Sequence, residues 1–391
     1  MLARCLAGDP PPTLPRELLD EECAPALFSV LVEGLADRFE AALCDAYVRL
    51  FADAVAQAGG GFDAAALEAR YQRIRRAHAV TVEPQRIFVL SRVTLGADVA
   101  VTSVLMDAAK RRFPRARIVF VGPSKNYELF AADPRLEHAP VAYLRGSLHN
   151  RLAVFDELRA LCGVADALVL DPDSRLTQLG LLPICSDERY HLFESRAYGG
   201  DGSQPLPELA AHWAHETLGV SGARPYLALA APTAPPAGIT VSLGVGENPA
   251  KRLPDPFEER LLALLAATGL PMIIDKGAGG EEAERVERAC RRAGIHPTFW
   301  EGSFAGFAAL IAASQLYAGY DSAGQHAAAA AGVPLISIFA GFPVSRMFHR
   351  WRPTAPSAHV IRVEQPNVDA ALARVRETLN LLGQDGILSR A

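Results

Sequence analysis

From position 86 onward, short apolar runs alternate with longer stretches of helical periodicity. The run Ile-Phe-Val-Leu at 87–90 is followed by a helical stretch at 99–112 and a second apolar run at 117–121. Such short, continuously apolar runs are typical of strands buried on both faces of a parallel sheet. Because strand–helix–strand order is the signature of doubly wound sheets, the chain predicts an α/β fold.

This alternation is interrupted once, by the proline-rich segment at 231–238. Its prolines disfavour helix and exclude a central strand. Strands are also expected at 141–144, 167–170 and 226–229 before the segment, and the pattern restarts at 239–243 after it. The 391 residues therefore divide into four parts. These are a helical extension at 1–83, an α/β domain at 84–230, a second α/β domain at 238–366 and a C-terminal helix at 367–391.

The extension carries one apolar stripe. Leucines and aromatics recur every three to four residues between Leu27 and Leu50, which predicts one helix beginning near Asp20. Three glycines at 59–61 end it, and a second helix continues through Tyr71. The stripe must be buried against the neighbouring domain, at a substrate site, or in a homodimer formed through these helices. The sequence leaves the three options open.

Composition narrows the class of protein. Half of the residues are hydrophobic and 21% are charged, which is a globular balance, and the net charge of −5 disfavours a nucleic-acid partner. Six cysteines without C-x-x-C or Cys–His metal spacing predict free thiols in a reducing cytoplasm. We see no signal peptide, and the apolar stretch at 326–342 is too broken to span a bilayer. A cytoplasmic protein is expected, with peripheral contact to the inner membrane left open.

The first candidate site is a turn between a strand and an alanine-rich helix. It reads Gly319-Tyr320-Asp321-Ser322-Ala323-Gly324-Gln325-His326. Asp321 or Ser322 can cap the helix. The unpaired N–H groups and the dipole at the helix N-terminus favour a bound diphosphate. An ordinary capped turn explains the pattern equally well.

A glycine-containing loop follows the strand at 239–243. Lys251 and Arg252, at its end, are candidate donors to phosphate oxygens. The alternative is a solvated basic loop.

A third loop, at 275–282, places Glu281 and Glu282 at the start of a helix. Carboxylates at this place accept ribose hydroxyls in dinucleotide folds. They are also favourable residues for a helix N-terminus, and both interpretations carry equal weight.

The fourth segment follows the first strand of the first domain and contains Arg92, Thr94, Gly96 and Asp98. Since ligands bind beyond the carboxyl ends of parallel strands, two such domains would face each other across a cleft. Asp98 could then take a proton from an attacking hydroxyl. The alternative is that Asp98 caps the next helix.

These four segments resemble the heptosyltransferase family, glycosyltransferase family 9. Family members carry Asp-[Ser/Thr]-Gly-x-x-His before an alanine-rich helix and Gly-x-Pro. Asp321, Ser322 and His326 match that turn, with Ala323 at the family's glycine position and Gly324 one place later. The chain keeps the later Gly-x-Pro as well.

Two further segments support the resemblance. Lys251 precedes Arg-Leu-Pro where the family has a basic residue before Trp-Pro. In the first domain, Arg92, Thr94 and Asp98 keep the spacing of the family's Arg-x-Ser-x-x-Gly-Asp segment, although Gly96 stands one place early. The family's ribose-binding carboxylate would be Glu281 or Glu282. The resemblance covers about residues 86–382 and leaves the extension outside.

The resemblance implies a GT-B fold, in which two Rossmann-like domains face a cleft, with 84–230 binding the acceptor and 238–366 binding an ADP-heptose-like donor. It implies inverting, metal-independent transfer without a cofactor. Asp98 would be the base, and the helix N-terminus at 322–325, with Lys251 and Arg252, would stabilise the leaving diphosphate. The Asp-Pro-Asp at 171–173 is interpreted as a turn and not as a metal site.

The acceptor is not defined by the sequence and could be a glycan, a metabolite or a protein. The displaced glycines and the unusual extension motivate an alternative function. In that alternative, the chain is a catalytically inactive nucleotide-sugar-binding or scaffold protein that binds a partner through its N-terminal helices.

Overall fold

A computed structural model describes residues 1–232, 238–246, 248–277 and 279–388. Two compact units are present. The N-terminal unit comprises Met1–Tyr127, Asp133–Pro225 and His349–Trp351, and the C-terminal unit comprises the other described residues. Each unit contains one fully parallel sheet, which confirms the predicted α/β class. The predicted linker falls largely on 233–237, outside the described residues.

The sheet of the N-terminal unit has its first strand in the middle. Its order is β3-β2-β1-β4-β5. The chain runs outward from β1 to β3 and then returns to β4 on the other side, so the carboxyl ends of β1 and β4 form the topological switch point. The strands are β1 (Arg86–Leu90), β2 (Arg117–Gly122), β3 (Leu136–Pro140), β4 (Ala167–Asp171) and β5 (Tyr190–Leu192).

Helices cover this sheet. In this unit, α6 packs against β1 and β2 and beside α10, whereas α9 packs against β4 and α4 against β5. Two π-helical segments, Ala26–Val32 and Asp98–Thr102, precede α2 and α6. The α-helices are α1 (Leu2–Leu6), α2 (Glu33–Ala36), α3 (Ala41–Ala58), α4 (Ala64–Ile74), α5 (Leu95–Ala97), α6 (Ser103–Arg112), α7 (Ser124–Tyr127), α8 (Leu148–Leu152), α9 (Phe155–Cys162) and α10 (Leu206–Leu218).

The N-terminal extension shares the core of this sheet. Leu27, Phe51 and Tyr71 are buried in one apolar cluster with Phe88 of β1 and with residues of β4 and β5. The first of the three options for the apolar stripe, packing on the neighbouring domain, is therefore the one observed. The expected single helix is wrong, because the chain breaks at 37–40 before α3 begins. Residue 39 at the break has a positive φ of 55°.

The sheet of the C-terminal unit repeats the same plan. Its order is β11-β10-β9-β6-β7-β8, so the switch point lies between β6 and β9. The strands are β6 (Ile239–Ser242), β7 (Met272–Asp275), β8 (Thr298–Trp300), β9 (Leu316–Tyr320), β10 (Leu335–Phe339) and β11 (Ala358–Arg362). The helices are α11 (Phe257–Ala266), α12 (Gly280–Ala293), α13 (Phe304–Ala312), α14 (Ala323–Ala331), α15 (Ser345–Trp351) and α16 (Val368–Gln384), and the last three residues of α15 are counted with the N-terminal unit. Of these, α14 packs against β9 and β10, and α16 against α11, β10 and β11.

Two of the expected strands are wrong. The strand expected at 141–144 lies instead at Leu136–Pro140, and 226–229 is irregular. The elements β5, β11 and α15 were not expected. All six cysteines are free thiols, as expected. Among the described residues, no helix is long and apolar enough to cross a bilayer.

Candidate functional site

The turn between β9 and α14 lies at the switch point of the C-terminal sheet. β9 ends at Tyr320 and α14 begins at Ala323, so Asp321 and Ser322 form the turn. Ser322 occupies the N-cap position with extended backbone, yet its side chain accepts no hydrogen bond from the described residues of the helix. The expected side-chain cap is therefore wrong. The N–H groups of the first helical turn are left for a ligand, since helix geometry gives them no partner.

Lys251 is brought to this turn. It lies in a 3₁₀ turn (Pro249–Lys251) that follows β6, the neighbour of β9. Its Nζ atom lies 2.7 Å from a carboxylate oxygen of Asp321 and donates to the Asp321 carbonyl oxygen at 3.2 Å. The two side chains are 19% and 6% exposed, so the ion pair is largely shielded from water. This pair holds a cation beside the N-terminus of α14.

Gln325 and His326 lie in the first turn of α14 and are both buried. The Gln325 amide donates to the Asp321 carboxylate and accepts from the Ser337 hydroxyl of β10. Burial lowers the pKa of His326 to about 4, although Asp321 acts in the opposite direction. The imidazole beside the turn is therefore neutral at neutral pH.

Arg252 is directed elsewhere. Its Nε donates to Glu258 of α11 at 3.0 Å, and its other guanidinium nitrogen pairs with Asp255. Glu258 is buried and also pairs with Arg285. Because these carboxylates hold the guanidinium group against α11, the structure brings Lys251 to the turn but leaves Arg252 away from it.

Glu281 and Glu282 both lie in the first turn of α12, but their surroundings differ. A Cβ atom added at Gly244 or Gly277 would overlap the Glu282 carboxylate. These glycines follow β6 and β7, so the Glu282 side chain lies at the carboxyl edge of the sheet. Glu281 is exposed. Asp275, at the end of β7, lies at the same edge, and its burial raises its pKa.

Asp98, in the N-terminal unit, is fully buried. Its carboxylate accepts four hydrogen bonds. The donors are Ser91 Oγ at 2.6 Å, the Arg92 backbone N–H at 2.7 Å, Thr102 Oγ1 at 2.6 Å and Asn126 Nδ2 at 2.6 Å. Burial raises the pKa of Asp98, and the four donors oppose that shift. The alternative that Asp98 caps the helix is wrong, because Thr94 occupies the N-cap position of α5.

Arg92 lies at the switch point of the N-terminal sheet. Its guanidinium group donates to Ser195 Oγ at 2.8 Å and to the Pro172 carbonyl oxygen, which follows β4. Burial lowers the pKa of Arg92. Thr94 is exposed and Gly96 is buried in α5. The structure therefore gathers Arg92 and Asp98 around one loop after β1.

The Asp-Pro-Asp segment forms a turn after β4. Asp173 has a φ of 71° and forms a buried ion pair with Arg196 at 2.8 Å. Asp171 accepts hydrogen bonds from Thr177 and Tyr190, and burial raises its pKa to about 6. Within the described part of the chain, no three His, Cys, Asp or Glu side chains are grouped as a metal site.

Tyr317 lies beneath the turn at 321–322 and was not predicted as a site residue. A Cβ atom at Gly319 or Gly324 would overlap its hydroxyl group. The available signal was the pair of glycines that follow Tyr317, Gly319 within β9 and Gly324 within α14, at positions where no turn requires glycine.

Comparison with known proteins identifies one matching family. Residues 241–377 match the family described as glycosyltransferase family 9 (heptosyltransferase). A search of curated proteins finds no match.

Solved structures with a similar fold include three glycosyltransferases. A family 9 glycosyl transferase from Veillonella parvula has 15% identity, a TM-score of 0.58, and coverage of 79% of this chain and 99% of its own. The ADP-heptose lps heptosyltransferase II of E. coli has 20% identity, a TM-score of 0.55, and coverage of 77% and 99%. The E. coli heptosyltransferase WaaC has 17% identity, a TM-score of 0.57, and coverage of 76% and 99%.

The fold and the matched domain define the chain as a glycosyltransferase with the GT-B fold. Its residues 241–377 are similar to glycosyltransferase family 9, the heptosyltransferases. The alternative of an inactive binding or scaffold protein is not favoured by these findings.

Proposed function

We propose that the protein transfers a heptose-like sugar from a nucleoside-diphosphate sugar to an acceptor hydroxyl, with inversion and without a metal. The observation that carries this proposal is the Lys251–Asp321 ion pair at the N-terminus of α14. An ADP-linked donor is the first choice, because WaaC has been solved with ADP and with ADP-2-deoxy-2-fluoro heptose.

In this reaction the acceptor oxygen bonds to the anomeric carbon while the bond from that carbon to the diphosphate oxygen breaks. Negative charge develops on the leaving diphosphate. The N–H groups of the first turn of α14 and the Lys251 ammonium are the groups that meet this charge. Glu282, at the edge of the sheet beside Gly244 and Gly277, is the candidate partner for the ribose hydroxyls.

The acceptor proton requires a base, and Asp98 is the proposed one. Its raised pKa favours proton acceptance. Its burial under four donors means that an acceptor hydroxyl reaches it only by displacing one of them. Arg92 and Thr94, in the same loop, are the proposed acceptor contacts.

The acceptor, the cellular compartment and the oligomeric state stay predictions. The acceptor is a glycan, a metabolite or a protein, and the cytoplasm, with or without contact to the inner membrane, is the expected compartment. The main reason to expect a homodimer through the N-terminal helices is removed, because the apolar stripe is buried within the N-terminal unit.

A transfer assay tests the proposal. The full chain is incubated with ADP-heptose, UDP-glucose or GDP-mannose and a panel of acceptors, with and without EDTA. Nucleotide release and product are followed, and the anomeric configuration is read by NMR. We expect release from the ADP sugar, inversion, and no effect of EDTA. Retention of configuration or loss of activity with EDTA would contradict the mechanism, and absence of transfer with all donors would contradict the activity.

A further inference from the structure

Tyr317 of β9 has no exposed surface. Its ring passes Gly319, two residues later on the same face of the strand, and its hydroxyl reaches Gly324 in the first turn of α14. A Cβ atom at either glycine would overlap the hydroxyl oxygen. The two glycines therefore make room for a hydroxyl directly beneath the proposed diphosphate site.

This hydroxyl is poorly satisfied. Among the described residues, none forms a hydrogen bond of regular geometry with it. Burial raises the pKa of Tyr317, and the nearby Ser322 and Ser242 hydroxyls oppose that shift. Buried hydroxyls without a hydrogen-bond partner are rare, because burial removes their hydrogen bonds to water and nothing replaces them. A second state of the site, in which the Tyr317 hydroxyl is paired, would account for the space that the two glycines leave for it.

Ser322 is the neighbour that can pair with it. Ser322 stands at the N-cap position, is partly exposed, and caps no N–H among the described residues of α14. A serine oxygen accepts a hydrogen bond while its own proton donates in another direction. The partly exposed serine thus stands between the buried tyrosine and the place where a diphosphate would bind.

We propose that Tyr317 is a positioning residue of the donor site. When a nucleoside diphosphate binds, the Tyr317 hydroxyl donates to Ser322 Oγ, and Ser322 donates its proton to a phosphate oxygen. Hydrogen bonds in such a chain polarise one another, so the outer donor is strengthened. The inference rests on the proposed function.

This arrangement explains the displaced glycine. The position that must lack a side chain is 324, where the Tyr317 hydroxyl lies, and Ala323 is tolerated one place earlier. The chain thus adds a side-chain donor to the helix N–H groups and Lys251.

The test is a double-mutant cycle on the full chain, with ADP affinity measured by calorimetry. Tyr317→Phe and Ser322→Ala should each weaken ADP binding roughly ten-fold, since each removes one link to a charged ligand. The double variant should be no weaker than Ser322→Ala alone. Without ligand, Tyr317→Phe should melt at the same temperature as the wild type or higher, because an unpaired hydroxyl is lost.

Tyr320→Phe is the matched control for stability. The Tyr320 hydroxyl accepts a hydrogen bond from the Leu253 N–H at 3.3 Å, so its loss should lower the melting temperature. If Tyr317→Phe does not fold, Ser322→Ala at unchanged melting temperature still tests the outer link.

Three outcomes would overturn the inference. Unchanged ADP affinity in Tyr317→Phe or Ser322→Ala, with Lys251→Ala impaired, would refute the relay and leave the proposed function standing. Additive losses with a lowered melting temperature would assign Tyr317 a structural role. Failure of the wild type to bind ADP, UDP or GDP would remove the proposed function and this inference together.

Discussion

The ammonium group of Lys251 lies 2.7 Å from the carboxylate of Asp321, and this pair connects the loop after β6 to the turn before α14. The Gln325 amide bonds the same carboxylate, and Ser337 of β10 bonds Gln325. The cation is therefore held at the helix N-terminus through contacts that extend to three strands of the sheet.

Gly324→Ala should disturb this turn. The added methyl group would overlap the Tyr317 hydroxyl, and overpacking of this kind costs about 1–3 kcal/mol. Gly383→Ala is the matched control, because position 383 of α16 has open space and alanine favours helix by up to about 1 kcal/mol. Urea unfolding should show opposite signs for the two variants. Equal effects would mean that Tyr317 leaves room for a side chain.

The lowered pKa of His326 predicts a pH dependence of stability. The imidazole titrates at about 4 when folded and near 6.5 when unfolded, so the unfolded state binds more protons between these values. Stability should fall as the pH drops through this window. The loss between pH 7.5 and pH 5 is about 2 kcal/mol for this residue.

His326→Asn should remove that part of the dependence. The comparison is made by urea unfolding of both proteins at pH 7.5 and pH 5. An identical loss of stability in the two proteins would show that His326 titrates normally.

Arg75→Ala should show that the N-terminal extension is integral to the fold. Arg75 of the extension donates to the Glu194 carboxylate at 2.9 and 3.0 Å, and Glu194 is buried. Removal of one partner from a buried pair costs about 3–5 kcal/mol. Arg73→Ala is the control, because its side chain is 62% exposed and surface pairs contribute less than about 1 kcal/mol. Equal unfolding free energies for the two variants would contradict the prediction.

Asp98→Asn tests whether Asp98 is the base of the reaction or only a structural carboxylate. Loss of a general base should lower kcat by about 10²–10⁴-fold. ADP affinity should be unchanged, because Asp98 lies in the N-terminal unit and the proposed donor-binding residues lie in the C-terminal unit. The pH–rate profile should also lose its acidic limb. A kcat within a few-fold of the wild type would leave Asp98 only the task of fixing the loop through Ser91 and Arg92.

Much of this architecture could be predicted from the sequence, because buried parallel strands are continuously apolar. β1, β2 and β4 were expected on that ground. β3 was misplaced, since an edge strand pairs on one side only and its residues, Leu-Glu-His-Ala-Pro, show no apolar run. The break before α3 was missed because the apolar spacing continues across it.

The site residues, too, could be predicted only in part. Lys251 and Asp321 were found because each stands in a motif at a strand end. The position of the Arg252 guanidinium group depended on Glu258, a buried carboxylate six residues further along the chain. Tyr317 depended on the pairing of β9 with β6, which brings its hydroxyl toward Ser242. Such relations are set by tertiary packing and not by spacing along the chain.

The most direct test of the account is calorimetric titration of ADP into the wild type, Lys251→Ala and Arg288→Ala. Arg288 is a matched cation, 52% exposed on α12. We expect ADP binding by the wild type, a loss of about 10- to 100-fold in Lys251→Ala from one charge-assisted contact, and no change in Arg288→Ala. Equal affinities in all three proteins would contradict the proposal that Lys251 and the N-terminus of α14 bind the diphosphate.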